Sequence, residues 1–263
     1  MSGGVAETIL RRDRVIVLSG LAVIIALSWA YVSSLASDMQ NNTGVATEMA
    51  MPQTQDAWGV TEFALTLVMW AVMMVAMMTP SAAPMILMFA GVNRSRQKQQ
   101  GPYVPTSVFL LGYLGVWAAF SVLATAAQWG LHAVSLLSPM MISTSPVLGA
   151  ILLLIAGIYQ WTPLKHACLS KCRSSLGFVL SEWREGRCGA LLMGLKHGVY
   201  CTGCCWSLMA LLLVAGVMNL LWVAAIAGFV LLEKVAPAGD RLGRAAGVLF
   251  IGWGVWMVAW GMR

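Results

Sequence analysis

Charge is what this sequence has least of. Its 263 residues include only 16 Lys and Arg and 10 Asp and Glu, against 59% hydrophobic residues. Soluble domains carry about 25% charged residues, so the chain lacks the means to cover itself with a water-facing shell. Histidine is also scarce, with three in the whole chain. Copper enzymes that activate oxygen usually need several imidazoles, which counts against that chemistry. No Gly-x-x-x-x-Gly-Lys loop occurs, so nothing here cradles nucleotide phosphates, and any transport would be passive or coupled to an ion gradient. There is no repeat period and no low-complexity tract. The basic residues form short clusters between apolar runs, a pattern that sets membrane orientation and does not suit a nucleic-acid partner.

What remains is a series of apolar runs of about 20 residues, the length that crosses a hydrocarbon core about 30 Å thick. The pattern predicts an all-α polytopic membrane protein in the plasma (inner) membrane of a bacterium. Residues 1–14 form a cytoplasmic N-terminal segment, and residues 15–263 a single helical transmembrane domain. Seven spans are expected, near 15–36, 61–91, 105–131, 146–163, 189–216, 219–236 and 242–261. The run that follows Arg11, Arg12 and Arg14 is too long for a signal-peptide core and reads as an uncleaved first span. With the N-terminus cytoplasmic, 14 basic residues fall on the inner side, from Arg11 through Arg94, Lys165 and Arg184 to Arg244. Only Lys196 and Arg263 fall elsewhere, as the positive-inside rule asks.

The fifth run contains Lys196-His197-Gly198-Val199-Tyr200-Cys201-Thr202-Gly203-Cys204-Cys205-Trp206-Ser207-Leu208-Met209. On a helix, His197, Cys201, Cys204, Cys205 and Met209 lie at i, i+4, i+7, i+8 and i+12, which is one face. A single buried Cys commonly packs as a small hydrophobe. Three thiols beside an imidazole and a thioether are instead a soft-ligand set, and softness favours Cu(I), with zinc or iron as competitors. Thiolates brought into a low-dielectric site need a cation, so metal uptake should release protons. Lys196, one residue before His197, is placed to balance surplus thiolate charge.

The second run is rich in methionine, from Met69-Trp70-Ala71-Val72-Met73-Met74-Val75-Ala76-Met77-Met78-Thr79-Pro80 through Pro84, Met85 and Met88. Met69, Met73 and Met77 are spaced by four, and Met74, Met78 and Met85 lie on the adjoining stripe. Methionine fills irregular apolar gaps, so such a stripe can be packing alone. Facing the Cys-rich helix, Met73 and Met77 would complete a soft cage. Close approach of these two helices is expected through Gly194, Gly198 and Gly203 on one and Ala71, Ala76, Ser81 and Ala82 on the other. Pro80 and Pro84 withhold backbone donors and favour a kink.

The segment after the fourth run reads as a cytoplasmic loop, Lys165-His166-Ala167-Cys168-Leu169-Ser170-Lys171-Cys172-Arg173, with Cys188 at its far end. Cys168 and Cys172 could accept a soft metal from a cytosolic donor or exchange disulfides, or they could be two solvent-facing thiols kept reduced. Glu233 closes the sixth run, and ionisable groups at membrane depth usually pair, so a Lys196–Glu233 pair is expected. Met39, Met49, Met51, His132, Met140 and Met141 form a loose set in the outer segments.

The string from Met69 to Pro80 with Pro84-Met85, Lys165 with Cys168-Leu169 and Cys172-Arg173, Gly198-x-Tyr-Cys-x-Gly-Cys-Cys-Trp-x-Leu-Met, and Glu233-Lys234 together resemble a bacterial family of polytopic proteins labelled predicted metal-binding integral membrane proteins. The likeness runs from Trp70 to Gly239, and Cys-x-Gly-Cys-Cys-Trp is its most specific part. The resemblance implies metal binding without naming the metal or the reaction.

Three functions suit these residues. The first is binding of a soft transition metal, Cu(I) foremost, for transport, delivery or storage. The second is a membrane-bound metal-dependent oxidoreductase acting on a lipophilic substrate. The third is thiol–disulfide exchange by Cys201 and Cys204, although that motif lies inside a helix, away from the N-terminus that lowers thiol pKa values. Partners would be the lipid bilayer, a metal-donor or metal-acceptor protein, and further subunits in a homo- or hetero-oligomer.

Overall fold

The structure is a computed structural model that describes residues 3–48, 59–97, 104–133 and 145–261, with side chains left out of account in 3–14, 39–48 and 260–261. Among the described residues the chain is helical throughout. The elements are α1 (Gly3–Glu48), α2 (Val60–Gln97), α3 (Thr106–Ala133), α4 (Pro146–Tyr159), α5 (Pro163–Arg173), α6 (Ser175–Glu182), α7 (Gly186–Ala210), α8 (Leu212–Ala215), α9 (Leu220–Val235) and α10 (Gly239–Gly261). Of the outer set, Met49, Met51, Met140 and Met141 and the Met39 side chain lie outside what is described.

Among the described residues, five segments are long and apolar enough to cross a membrane: Val15–Asp38, Val60–Gln97, Thr106–Ala133, Gly186–Ala215 and Gly239–Ala259. A sixth arises if α4 and α5, bent by 66°, count as one broken span. Seven spans were expected, and length and composition single out five or six. α9 has 16 residues, a rise of about 24 Å, which falls short of a hydrocarbon core unaided. α4 has only 14 residues, because Gln160-Trp161-Thr162-Pro163 ends it.

The segment read as a loop after the fourth run is helical instead. Thr162 caps α5, its hydroxyl accepting from the Lys165 amide at 3.3 Å, and Pro163 stands at the first turn, where a missing N–H costs nothing. Helical spacing then puts Cys168 and Cys172, four apart, on one face, and that face packs on α7.

Two glycine-based crossings organise the bundle. α7 packs chiefly on α3, where a Cβ on Gly194 would stand 2.1 Å from the Phe109 carbonyl and one on Gly112 2.3 Å from that of Leu191. α10 packs on α4, where a Cβ on Gly157 would meet the Gly247 carbonyl at 2.8 Å. In lipid, where no hydrophobic drive joins helices, such close backbone approach is what holds a pair together. The expected use of these glycines is corrected accordingly. Gly194 and Gly198 face α3 and Gly203 faces Cys168 of α5, while α7 meets α2 through side chains.

The helix of α2 continues through Pro80 and Pro84. Its methionines are inside: Met69, Met73, Met74, Met77, Met78 and Met85 are all buried, along with Trp70, whose indole N–H donates to Gln128 Oε1 of α3 at 2.6 Å. Tyr113 of α3 donates its hydroxyl to the Met78 carbonyl at 3.1 Å, tying the two helices at the level of the α7 thiols.

Candidate metal centre

Cys201, Cys204 and Cys205 of α7 are fully buried, none toward lipid. Their helix turns them into the space enclosed by α2, α3, α5 and α9, and each of those elements sends one polar or sulfur group to meet them. From α5, Cys172 is buried on the face that packs on α7. Cys168, one turn earlier, lies against the α7 backbone, so that a Cβ on Gly203 would stand 2.8 Å from its sulfur. From α2, the Met78 thioether lies 3.9 Å from Cys205 Sγ. From α3, the Tyr113 hydroxyl lies 3.2 Å from Cys201 Sγ. From α9, the Lys234 ammonium donates to Cys201 Sγ at 2.9 Å and to Ser81 Oγ of α2 at 3.0 Å.

The thiols of Cys204 and Cys205 both donate back to the Cys201 carbonyl, at 3.1 and 3.0 Å. This explains a second feature. Among the described residues no three His, Cys, Asp or Glu side chains form a ready-made cation site. The sulfurs adjoin one another, yet two of them aim at their own helix, so rotation about Cα–Cβ is needed before they converge on an ion. Such a rotation exchanges one staggered well for another.

His197 is buried one turn before Cys201, among the rings of Phe109, Tyr113 and Phe178 at centroid distances of 6.2, 5.7 and 5.5 Å. Its Nδ1 has no hydrogen-bond partner. A buried nitrogen left in that state costs about 1–3 kcal/mol, which suits a ligand that waits for an ion. Met209, Met73 and Met77 are buried in the same core, but Met78 is the thioether in contact with a thiol. A donor set of thiols, one thioether and one imidazole, closed off from water, fits Cu(I) by softness.

The anticipated ion pair is not formed. Lys196 bonds to Glu182 at 2.6 Å with its side chain 44% exposed, and Glu233 is held by Lys165 at 2.5 Å with both side chains almost wholly enclosed. Helix geometry gives the reason: five residues carry Lys196 about 140° around α7 from Cys201, away from the buried face. Lys165 also donates to Gln160 Oε1, and the carboxylate sits over Gly243 of α10, where a Cβ would come within 2.3 Å of Oε1.

Lys234 is a functional candidate that sequence reasoning passed over, having counted it only among the basic residues of the inner side. A signal was present. Val223, Ile226 and Val230 mark the buried face of α9, and the same 3.6-residue period carries that face on to Glu233 and Lys234.

A surface depression of about 390 Å³, lined by Pro237, Ala238, Asp240, Arg241 and Arg244, lies at the α9–α10 turn and does not reach the thiols. Arg173, next to Cys172, flanks it through bonds to the Ala236 and Pro237 carbonyls.

Residues 67–257, most of the chain, match the family described as PpoB2, copper chaperone. The match takes in α2 from its first methionine and ends within α10, so every group named above lies inside it. No curated protein and no solved structure matches the chain.

Proposed function

This chain belongs to the PpoB2 copper chaperone family, and on that premise we propose that it carries Cu(I) within the plasma membrane of a bacterium and hands it to a copper-requiring partner. The observation that carries the reading is a set of buried sulfurs on three helices: Cys172 on the face of α5 that packs on α7, then Cys201, Cys204 and Cys205 of α7, with Cys205 in contact with Met78 among the buried methionines of α2. An ion bound by two sulfurs can move along such a series by gaining a new sulfur before it loses an old one, and it never faces bare hydrocarbon. Cys168 and Cys172 receive the metal at the basic end of the molecule, which orientation by positive charge puts in the cytoplasm. Cys201, Cys204 and Cys205 hold it, with Met78 and His197 assisting. The methionines of α2 pass it toward the opposite end.

Softness supports copper over zinc here. Tetrahedral zinc wants four ligands, whereas two or three sulfurs satisfy Cu(I). The oxidoreductase alternative has less behind it, since His166 lies beside Asp240, 3.8 Å away, and leaves His197 as the imidazole next to the thiols.

The deciding experiment is elemental analysis of the purified full chain beside a variant carrying Cys201→Ser, Cys204→Ser and Cys205→Ser. The wild type should retain copper and the variant should lose it. Equal metal content in the two would dispose of this reading.

A further inference from the structure

Between α2 and α3 lies a polar face that the copper reading leaves unused, and we infer that it is a water-lined outlet leading from the thiols to the end of the bundle opposite Arg94 and Arg96. The inference deepens the proposed carriage of Cu(I) and rests on it for the identity of the ion. Two bonds bracket the face. Tyr113, whose hydroxyl lies 3.2 Å from Cys201 Sγ, donates to the Met78 carbonyl at 3.1 Å, and at the far end Trp70 donates to Gln128 Oε1 at 2.6 Å. On α2, Met73 and Met77 follow Trp70 at i+3 and i+7, and on α3, Thr125 and Gln128 follow Trp117 at i+8 and i+11, so each helix turns a single face to the other. All six side chains are buried.

Polar side chains inside a membrane ordinarily bond across to the next helix. Here three of them do not. Trp117 Nε1, Thr125 Oγ1 and Gln128 Nε2 have no hydrogen-bond partner in the protein, and the thioethers of Met73 and Met77 on the facing helix are weak acceptors. A buried donor left alone costs about 1–3 kcal/mol, and lipid tails offer it nothing. The indole N–H and the amide NH2 only donate, so their ligand has to be an acceptor, which excludes a cation bound to them directly. An anion would stand uncompensated, because residues 66–77 and 117–128 include no Lys or Arg. Water satisfies all three groups, and a buried water commonly joins about three polar atoms. Eleven residues of α3 span about 16 Å, which calls for a file of several waters. Thioethers hold Cu(I) by softness, and water beside them takes the place of each departing sulfur until the ion reaches bulk solvent. Only metal–ligand bonds form and break, and the copper stays monovalent.

The test uses the full chain in sealed vesicles with the outer face exposed, as wild type, Thr125→Cys and Leu123→Cys, and a cationic thiosulfonate that does not cross the bilayer. Leu123 is 69% exposed and lies two residues from Thr125, so it is a lipid-facing control at nearly the same depth. The thiolate attacks the reagent, a disulfide forms and sulfinate leaves, and a thiol ionises only where water reaches it. Above the wild-type background, Thr125→Cys should react about tenfold or more faster than Leu123→Cys, the effect of one unit of thiol pKa. Equal rates overturn the outlet and leave the copper reading intact. A second arm follows the ion. Trp117→Phe combined with Thr125→Val removes two donors, and the loaded protein should then release Cu(I) to an impermeant chelator outside about tenfold more slowly, the scale of one or two lost hydrogen bonds. A variant that is more stable and no slower would mean that the donors are dry, which overturns the inference. A wild type that takes up no Cu(I) overturns both readings. Should the variants fail to fold, radiolytic hydroxyl labelling of the wild type, which modifies side chains beside bound water, should mark Met73, Met77 and Trp117, and their protection overturns the outlet.

Discussion

Cys205 Sγ lies 3.9 Å from Met78 Sδ, joining α7 to α2 although α7 packs chiefly on α3. That contact joins the cysteine-rich and methionine-rich stretches through their side chains. Met78→Leu keeps the volume and removes the sulfur. Its Cu(I) affinity should fall about tenfold, the low end for losing a group that supports a metal site, with thermal stability nearly unchanged. Chelator competition measures the first and a melting curve the second. An unchanged affinity would remove Met78 from the series.

Glu233 and Lys165 are buried against each other, and breaking one side of such a pair costs about 3–5 kcal/mol. Glu233→Gln should therefore destabilise the protein severely. The double variant Lys165→Met with Glu233→Leu strands no charge and should recover much of the loss. Denaturation midpoints of the three proteins decide the matter, and equal damage from the single and double variants would mean that the two charges act separately.

Cys172 is buried on the face of α5 that packs on α7, whereas Cys188 is exposed. Cys172→Ser should slow copper uptake from a low-molecular-weight thiol complex of Cu(I), and Cys188→Ser should leave it unchanged. Stopped-flow transfer rates separate the two. Loss of uptake in both would point to surface capture in place of a buried relay.

Gly112→Ala drives a methyl group to within 2.3 Å of the Leu191 carbonyl, a backbone atom that cannot swing aside. The α3–α7 crossing should open, at a cost of about 3 kcal/mol or more, and copper binding should fall with it. Gly130→Ala, which meets nothing within 4 Å, is the control and should be neutral or slightly stabilising. Melting temperatures in detergent provide the comparison.

The helical membrane architecture was legible in the sequence because it follows from composition and period, which are local. Cys201, Cys204 and Cys205 were placed together on one buried face by helix spacing alone, and the structure buries all three. The sequence count of spans and the count of long helices part where an apolar run is interrupted by Thr162-Pro163 or stops at 16 residues, since hydropathy averages across such breaks.

Sequence by itself determined which residues lie on a common face, for a helix carries its own metric of 100° per residue and needs no partner to express it. Only the tertiary structure decided which faces meet. Lys165 and Lys234, not Lys196, are the buried cations, and Cys172 lies on the face of α5 that meets α7. Contacts between helices depend on shape at the crossing, which is a property of two segments together and is written in neither one.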